Sequence, residues 1–159
     1  MKKIAVILCI FTAFFIFAAC EQKPMSPPAP PQNFTYSLSV TMDEFAMECQ
    51  WEQAQAGSGV FTITAPETLS GLRLSFVGSE CTASFGDMET LIVLPQKAVF
   101  VQLMEVIAQT ENLSTTKRDN IFETRGELSR GEFVIFQDER GEYLGFSLGG
   151  IAQVVVGSI

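Results

Sequence analysis

The sequence contains no histidine. That removes the usual general base, the Ser-His-Asp arrangement and most zinc sites at once. Cysteine is scarce too: there are four, Cys9, Cys20, Cys49 and Cys81, with no C-x-x-C pair. Thiols without a neighbouring histidine or second cysteine offer little to redox chemistry. Basic residues are the third shortage, with ten Lys and Arg against 18 Asp and Glu. Without Lys2 and Lys3, eight basic residues face 18 acidic ones, a balance near −10. That argues against a nucleic-acid partner and against a polybasic membrane patch. No glycine-rich phosphate loop occurs, and Asp138, Glu139 and Glu142 lack calcium-loop spacing. No cofactor and no metal is expected.

What is present starts at the N-terminus. Lys2 and Lys3 precede an almost wholly apolar run, Ile4 to Phe17, and then Ala18, Ala19 and Cys20. This is the charge, core and small-residue order of an export signal. The run is short for a spanning helix, which needs about 20 residues. Small-small-Cys at this place resembles the lipobox of bacterial lipoproteins, although Phe17 stands where that pattern usually has leucine. The resemblance implies that residues 1–19 are a signal peptide and that Cys20 is lipidated. A diacylglyceryl group would supply the two chains that firm attachment requires. Pro24, Pro27, Pro28, Pro30 and Pro31 follow, so residues 20–32 read as the anchor and an extended, semi-rigid stalk. The expected location is outside the cell membrane, or on an outer membrane where one exists.

Residues 33–159 have the length of one domain. Tyr36, Leu38, Val40 and Met42 alternate with polar residues, and so do Phe45, Met47, Cys49 and Trp51. A period of two on both sides of Asp43-Glu44 predicts an antiparallel hairpin. VFTITA, LRLSFV, CTASF and METLIVL continue as short strands between turns. From residue 96 to 109 the period becomes helical, with Val99, Leu103, Val106 and Ile107 on one side beside Phe100 and Met104. Pro95 suits the first turn of that helix. So apolar a helix is largely buried, and the concave face of the sheet is its natural site. TENLSTTKRDN reads as a polar loop, IFETRGEL as a weak strand, and EFVIFQ, EYLGFSL and IAQVVVGS as a closing meander. Asp138 and Gly141 suit a tight turn with glycine left-handed. The fold class is therefore mainly β: a curved antiparallel sheet or half-open barrel around one main apolar helix. Cys49 and Cys81 are either a disulfide pair or two separate buried thiols, and the sequence leaves both open.

Two patterns imitate catalytic motifs. GFSLG, residues 145–149, matches G-x-S-x-G, but strand follows the serine and no histidine exists to take its proton. STTK, residues 114–117, matches S-x-x-K without the helix that motif opens. Neither supports an enzyme.

GVFTITAPETLSGLRLSF gives strand, proline, turn, strand; an apolar helix follows; VIFQDERGEYLGFSL closes with strand, turn, strand. Behind a lipobox and stalk, this order resembles the LolA-like group of envelope proteins. The resemblance implies a half-closed barrel with a hollow, lipid or acyl-chain cargo, and no catalysis, over residues 33–159. This chain departs from the soluble carriers in its anchor, its single strong helix and the lack of a matching arginine in the hollow. The expected lining is Leu74, Phe76, Phe100, Leu103, Met104 and Ile107, and changes at Leu103 are expected to affect ligand retention more than stability. The alternative is a filled core that takes no ligand and an exposed strand edge that recruits an envelope protein partner. The expected partners are thus the membrane through Cys20, a lipid or acyl chain, and an envelope protein.

Overall fold

A computed structural model describes residues 26–55, 57–128 and 131–157. The expected signal segment and Cys20 lie outside them. Within the described residues a single sheet of eleven strands is the whole framework. The first six are β1 (Phe34–Met42), β2 (Phe45–Gln55), β3 (Ser58–Ala65), β4 (Arg73–Val77), β5 (Glu80–Phe85) and β6 (Met88–Ile92). Helix α1 (Val99–Ala108) comes next. The chain ends in β7 (Ser114–Arg118), β8 (Ile121–Leu128), β9 (Gly131–Gln137), β10 (Tyr143–Leu148) and β11 (Ala152–Gly157).

Every neighbouring pair is antiparallel, in the order β6-β5-β4-β3-β2-β1-β11-β10-β9-β8-β7. The two meanders meet where β1 pairs with β11, with Val40 opposite Val154. Helix α1 and its flanking loops span from one sheet edge, β6, to the other, β7. The sheet stays open and curved, and α1 packs against its concave face.

The β1–β2 hairpin follows the alternation of its sequence. Tyr36, Leu38 and Val40 on β1 and Met47, Cys49 and Trp51 on β2 are buried, while their neighbours face outward. Phe61, Phe133, Phe146 and Leu148 bring in the other strands, and Phe100 and Leu103 bring in the helix. Burying each such side chain contributes about 1.5–3 kcal/mol. The aromatic rings are interlocked: Trp51 stacks on Phe61 at 5.2 Å between centroids, and Phe61 meets Phe100 at 4.6 Å. Among the described residues, all buried core residues lie between Tyr36 and Val154, so this segment carries its own core.

Two expectations need correction, and one open alternative is decided. The loop expected over 110–120 contains a strand: STTKR forms β7 and pairs with β8 from Ser114↔Arg125 to Arg118↔Ile121. Its pattern carries no apolar alternation because it is a sheet edge with only Thr115 half-buried. Asp119, at φ 55°, makes the turn that closes the pair. Pro95 precedes the helix instead of opening it; Ala98 N–H donates to its carbonyl, and α1 begins at Val99. Of the two readings left open for the cysteines, the structure has the separate thiols. Cys49 and Cys81 are free, buried thiols. They sit on β2 and β5 with two strands between, three steps of about 4.8 Å each. A disulfide needs Cα atoms within about 7 Å. Burial pushes the Cys49 thiol up to about 12 and raises that of Cys81 as well.

Candidate functional site

Turns far apart in sequence gather at one end of the sheet. The β2–β3 turn at Gly57, the β4–β5 turn at Gly78–Ser79 and the end of β6 line a cleft of about 570 Å³. That volume falls within the range of small-molecule sites. Phe76 and Cys81 form much of its floor on the sheet side, and they are register partners. The helix supplies Val101, Met104, Glu105 and Ala108, the i, i+3, i+4, i+7 stripe of one face. Leu91 and Val93 stand at the rim, 67% and 95% exposed.

The expected lining therefore divides. Phe76 and Met104 do face the cleft. Leu74, Phe100 and Leu103 are buried in the core, and Ile107 is half-buried against it. Helix α1 carries two apolar stripes. The greasier one, with Val99, Phe100, Leu103 and Val106, packs inward, and the sparser one faces the cleft. Choosing the most apolar residues selects the packed face. Leu103 has no exposed surface, so its truncation removes core packing. Polar Gln102 is also buried, and its amide donates to the Lys97 carbonyl at 3.3 Å.

The turns that line the cleft lie at the end where the chain enters the fold. Phe34, the first residue of β1, is opposite Gln53 near the end of β2. The β9–β10 turn is at this end too. Asp138 accepts there from the backbone N–H of Arg140 and Glu142, and Gly141 sits at φ 89°. Pro28 and Ala29 lie so close over Gly141 that a Cβ there would overlap the Ala29 carbonyl oxygen. Part of the expected stalk is thus laid against the domain. The Tyr36 hydroxyl donates to the Glu142 carboxylate and ties β1 to the same turn. Burial, and then that carboxylate, push the Tyr36 phenol well above its ordinary range.

The catalytic-looking motifs are strand residues. Ser147 lies within β10 opposite Gln153, whose amide donates to its hydroxyl at 2.8 Å. Ser114 opens β7, and Lys117 pairs with Glu139 at 2.7 Å. Among the described residues no group of three or more His, Cys, Asp or Glu is placed to hold a metal ion. No described helix is long and apolar enough to cross a membrane.

The class defined by this architecture is an open antiparallel half-barrel with one helix on its concave face and an apolar cleft beside that helix. No family model matches the chain, and no curated protein does. Among solved structures it is similar to a LolA superfamily protein from Nitrosomonas europaea, with 11% identity and a TM-score of 0.45, over 82% of this chain and 86% of that one.

Proposed function

We propose that this is a non-enzymatic envelope lipoprotein, tethered through lipidated Cys20, that binds an apolar ligand or acyl chain in the cleft beside α1. The carrying observation is the position of the cleft. It is apolar, it is bordered by exposed Leu91 and Val93, and the turns that line it are at the end of the sheet where β1 begins. A tether joined there would hold the mouth toward the bilayer. Exposed aliphatic residues at that rim suit a chain passing between membrane and cleft.

Residues 26–159, prepared without the anchor, test the reading by native mass spectrometry before and after solvent extraction. A bound mass that leaves on extraction and returns with added fatty acid is the expected result. A protein that stays bare when offered acyl chains overturns it. The edge strand β6 favours a second reading, because Met88 and Leu91 are about two-thirds exposed or more beside an unpaired backbone edge. Such an edge suits strand addition by an envelope protein. Under that reading the bare protein would still recruit its partner, and charges placed at Met88 and Leu91 would abolish recruitment.

A further inference from the structure

The chain enters the domain between two fixed points. One is Phe34, whose ring stacks on Tyr36 at 4.6 Å and meets Trp51 edge-on at 4.7 Å and Tyr143 at 5.8 Å. The other is Gly141 in the β9–β10 turn, covered by Pro28 and Ala29. Between and beside these points Pro27, Pro28 and Pro31 are half-buried, an unusual state for a proline string built to stand in water.

The turn under the chain is braced on several sides. Asp138 accepts from two of its backbone N–H groups, and the Gly141 carbonyl accepts from the buried Gln137 amide at 3.0 Å. The Tyr36 hydroxyl holds Glu142. At φ 89° Gly141 takes a conformation that suits glycine, and its missing Cβ is what lets the Ala29 carbonyl lie over it. The span fits as well. One strand, β11, separates β1 from β10, a distance of about 10 Å. The five steps from Ala29 to Phe34 reach about 15 Å in polyproline geometry. The segment therefore crosses with little slack, and Pro30 and Pro31 lower the entropy lost in holding it there.

Resting on the reading of Cys20 as the anchor, we infer that residues 27–33 are a strap across the end of the sheet, clamped at Phe34 and Gly141, that shortens the tether and fixes where it leaves the domain. The tether departs beside the β9–β10 turn and not at the start of β1. Docking removes residues 28–34 from the spacer, about 20 Å in polyproline geometry. The domain is thereby held closer to the bilayer, with the end of the sheet that carries the cleft turns facing it.

The strap is tested without ligand or membrane. A spin label on residues 26–159 with Ser26→Cys reports its motion; Cys49 and Cys81 are buried, so labelling of the folded protein goes to position 26. The label should move slowly beside the natural turn. It should move several-fold faster in Gly141→Ala, whose Cβ overlaps the strap, and in Pro30→Gly with Pro31→Gly, which leaves the turn untouched. Deleting residues 26–32 should lower the melting temperature by a few degrees with Gly141 in place and leave it unchanged in the Gly141→Ala background, a comparison in which strain within the turn cancels. A fast label in the natural sequence, or an equal loss in both backgrounds, overturns the strap. For the full chain anchored on a supported bilayer, the double proline variant should raise the domain by about 10–20 Å in neutron reflectivity. An unchanged height overturns the shortened tether. A full chain that carries no lipid on Cys20 overturns the anchor reading and leaves the strap standing.

Discussion

The two flanks of the concave face use the same alternating code and end differently. From β1 to β3 and on β10 and β11 the inward residues are buried, Trp51, Phe61 and Phe146 fully so, and the Phe100–Leu103 stripe of α1 packs inward among them, with Phe100 against Phe61. Around β5 and β6 the cover is incomplete. All of β6 except Ile92 is exposed, and the Val101–Met104 stripe of the helix stands off as a cleft wall. One short helix has enough apolar surface to seal one flank. Its diameter with side chains, about 10–12 Å, spans only two or three strand spacings. The unsealed flank is where a ligand could replace missing protein.

This contrast is open to direct attack. Truncating the sealed flank should have the largest effect: Leu103→Ala or Phe146→Ala should cost about 3–5 kcal/mol, measured by urea unfolding. Cleft residue Val101, half-buried, should cost about 1 kcal/mol or less on change to alanine. If Val101→Ala proved as damaging as Leu103→Ala, the two flanks would not differ as described.

Next comes Gly126→Ala on β8, which tests how tightly the sealed flank is packed away from the helix. A Cβ at Gly126 would overlap the buried Phe133 ring and meet Leu113 Cδ2 at 2.8 Å. Overpacking of this kind should cost about 1–3 kcal/mol in the same unfolding measurement. An unchanged midpoint would mean that the Phe133 region is loose.

The third effect is alkaline. Burial raises the Cys49 thiol from 9.0 to about 12 and the Tyr143 phenol from 10.0 to about 12, and Tyr36 moves in the same direction. Between the ordinary and raised values the unfolded chain has lost protons that the native chain keeps. Stability is therefore full below about pH 9 and falls as pH rises toward 12. Melting temperatures measured from pH 7 to 11 should decline only above 9; a flat profile would contradict the burial of these groups. Smallest of all, added oxidant should leave both thiols free, and a thiol reagent should modify native Cys49 far more slowly than the unfolded chain. Formation of an intramolecular disulfide in the folded protein would break the strand order.

Legibility in the sequence follows the same division. The β1–β2 hairpin could be read because each strand has one wet face and one dry face. The helix could be read from its period, but its orientation could not. With apolar residues on two stripes, only the packed structure shows that Phe100 and Leu103 turn inward while Val101 and Ala108 face the cleft. Strand β7 was hidden because an edge strand of Thr, Lys and Arg has no buried alternation to display. The joining of β1 to β11 was hidden for a different reason. Alternation marks a strand and says nothing about its partner when more than 110 residues separate them. The cleft is assembled from two turns, the end of β6 and a helix face, and no local pattern contains it.

The most direct measurement compares acyl-chain occupancy, by native mass spectrometry, in the natural sequence and in Ala108→Phe. Ala108 is exposed and lines the cleft, so a phenyl ring there fills the space without entering the core. The expected result is a bound chain in the natural protein, lost in the variant at an unchanged melting temperature. Equal occupancy in both would show that the chain binds elsewhere and would contradict the cleft as the site.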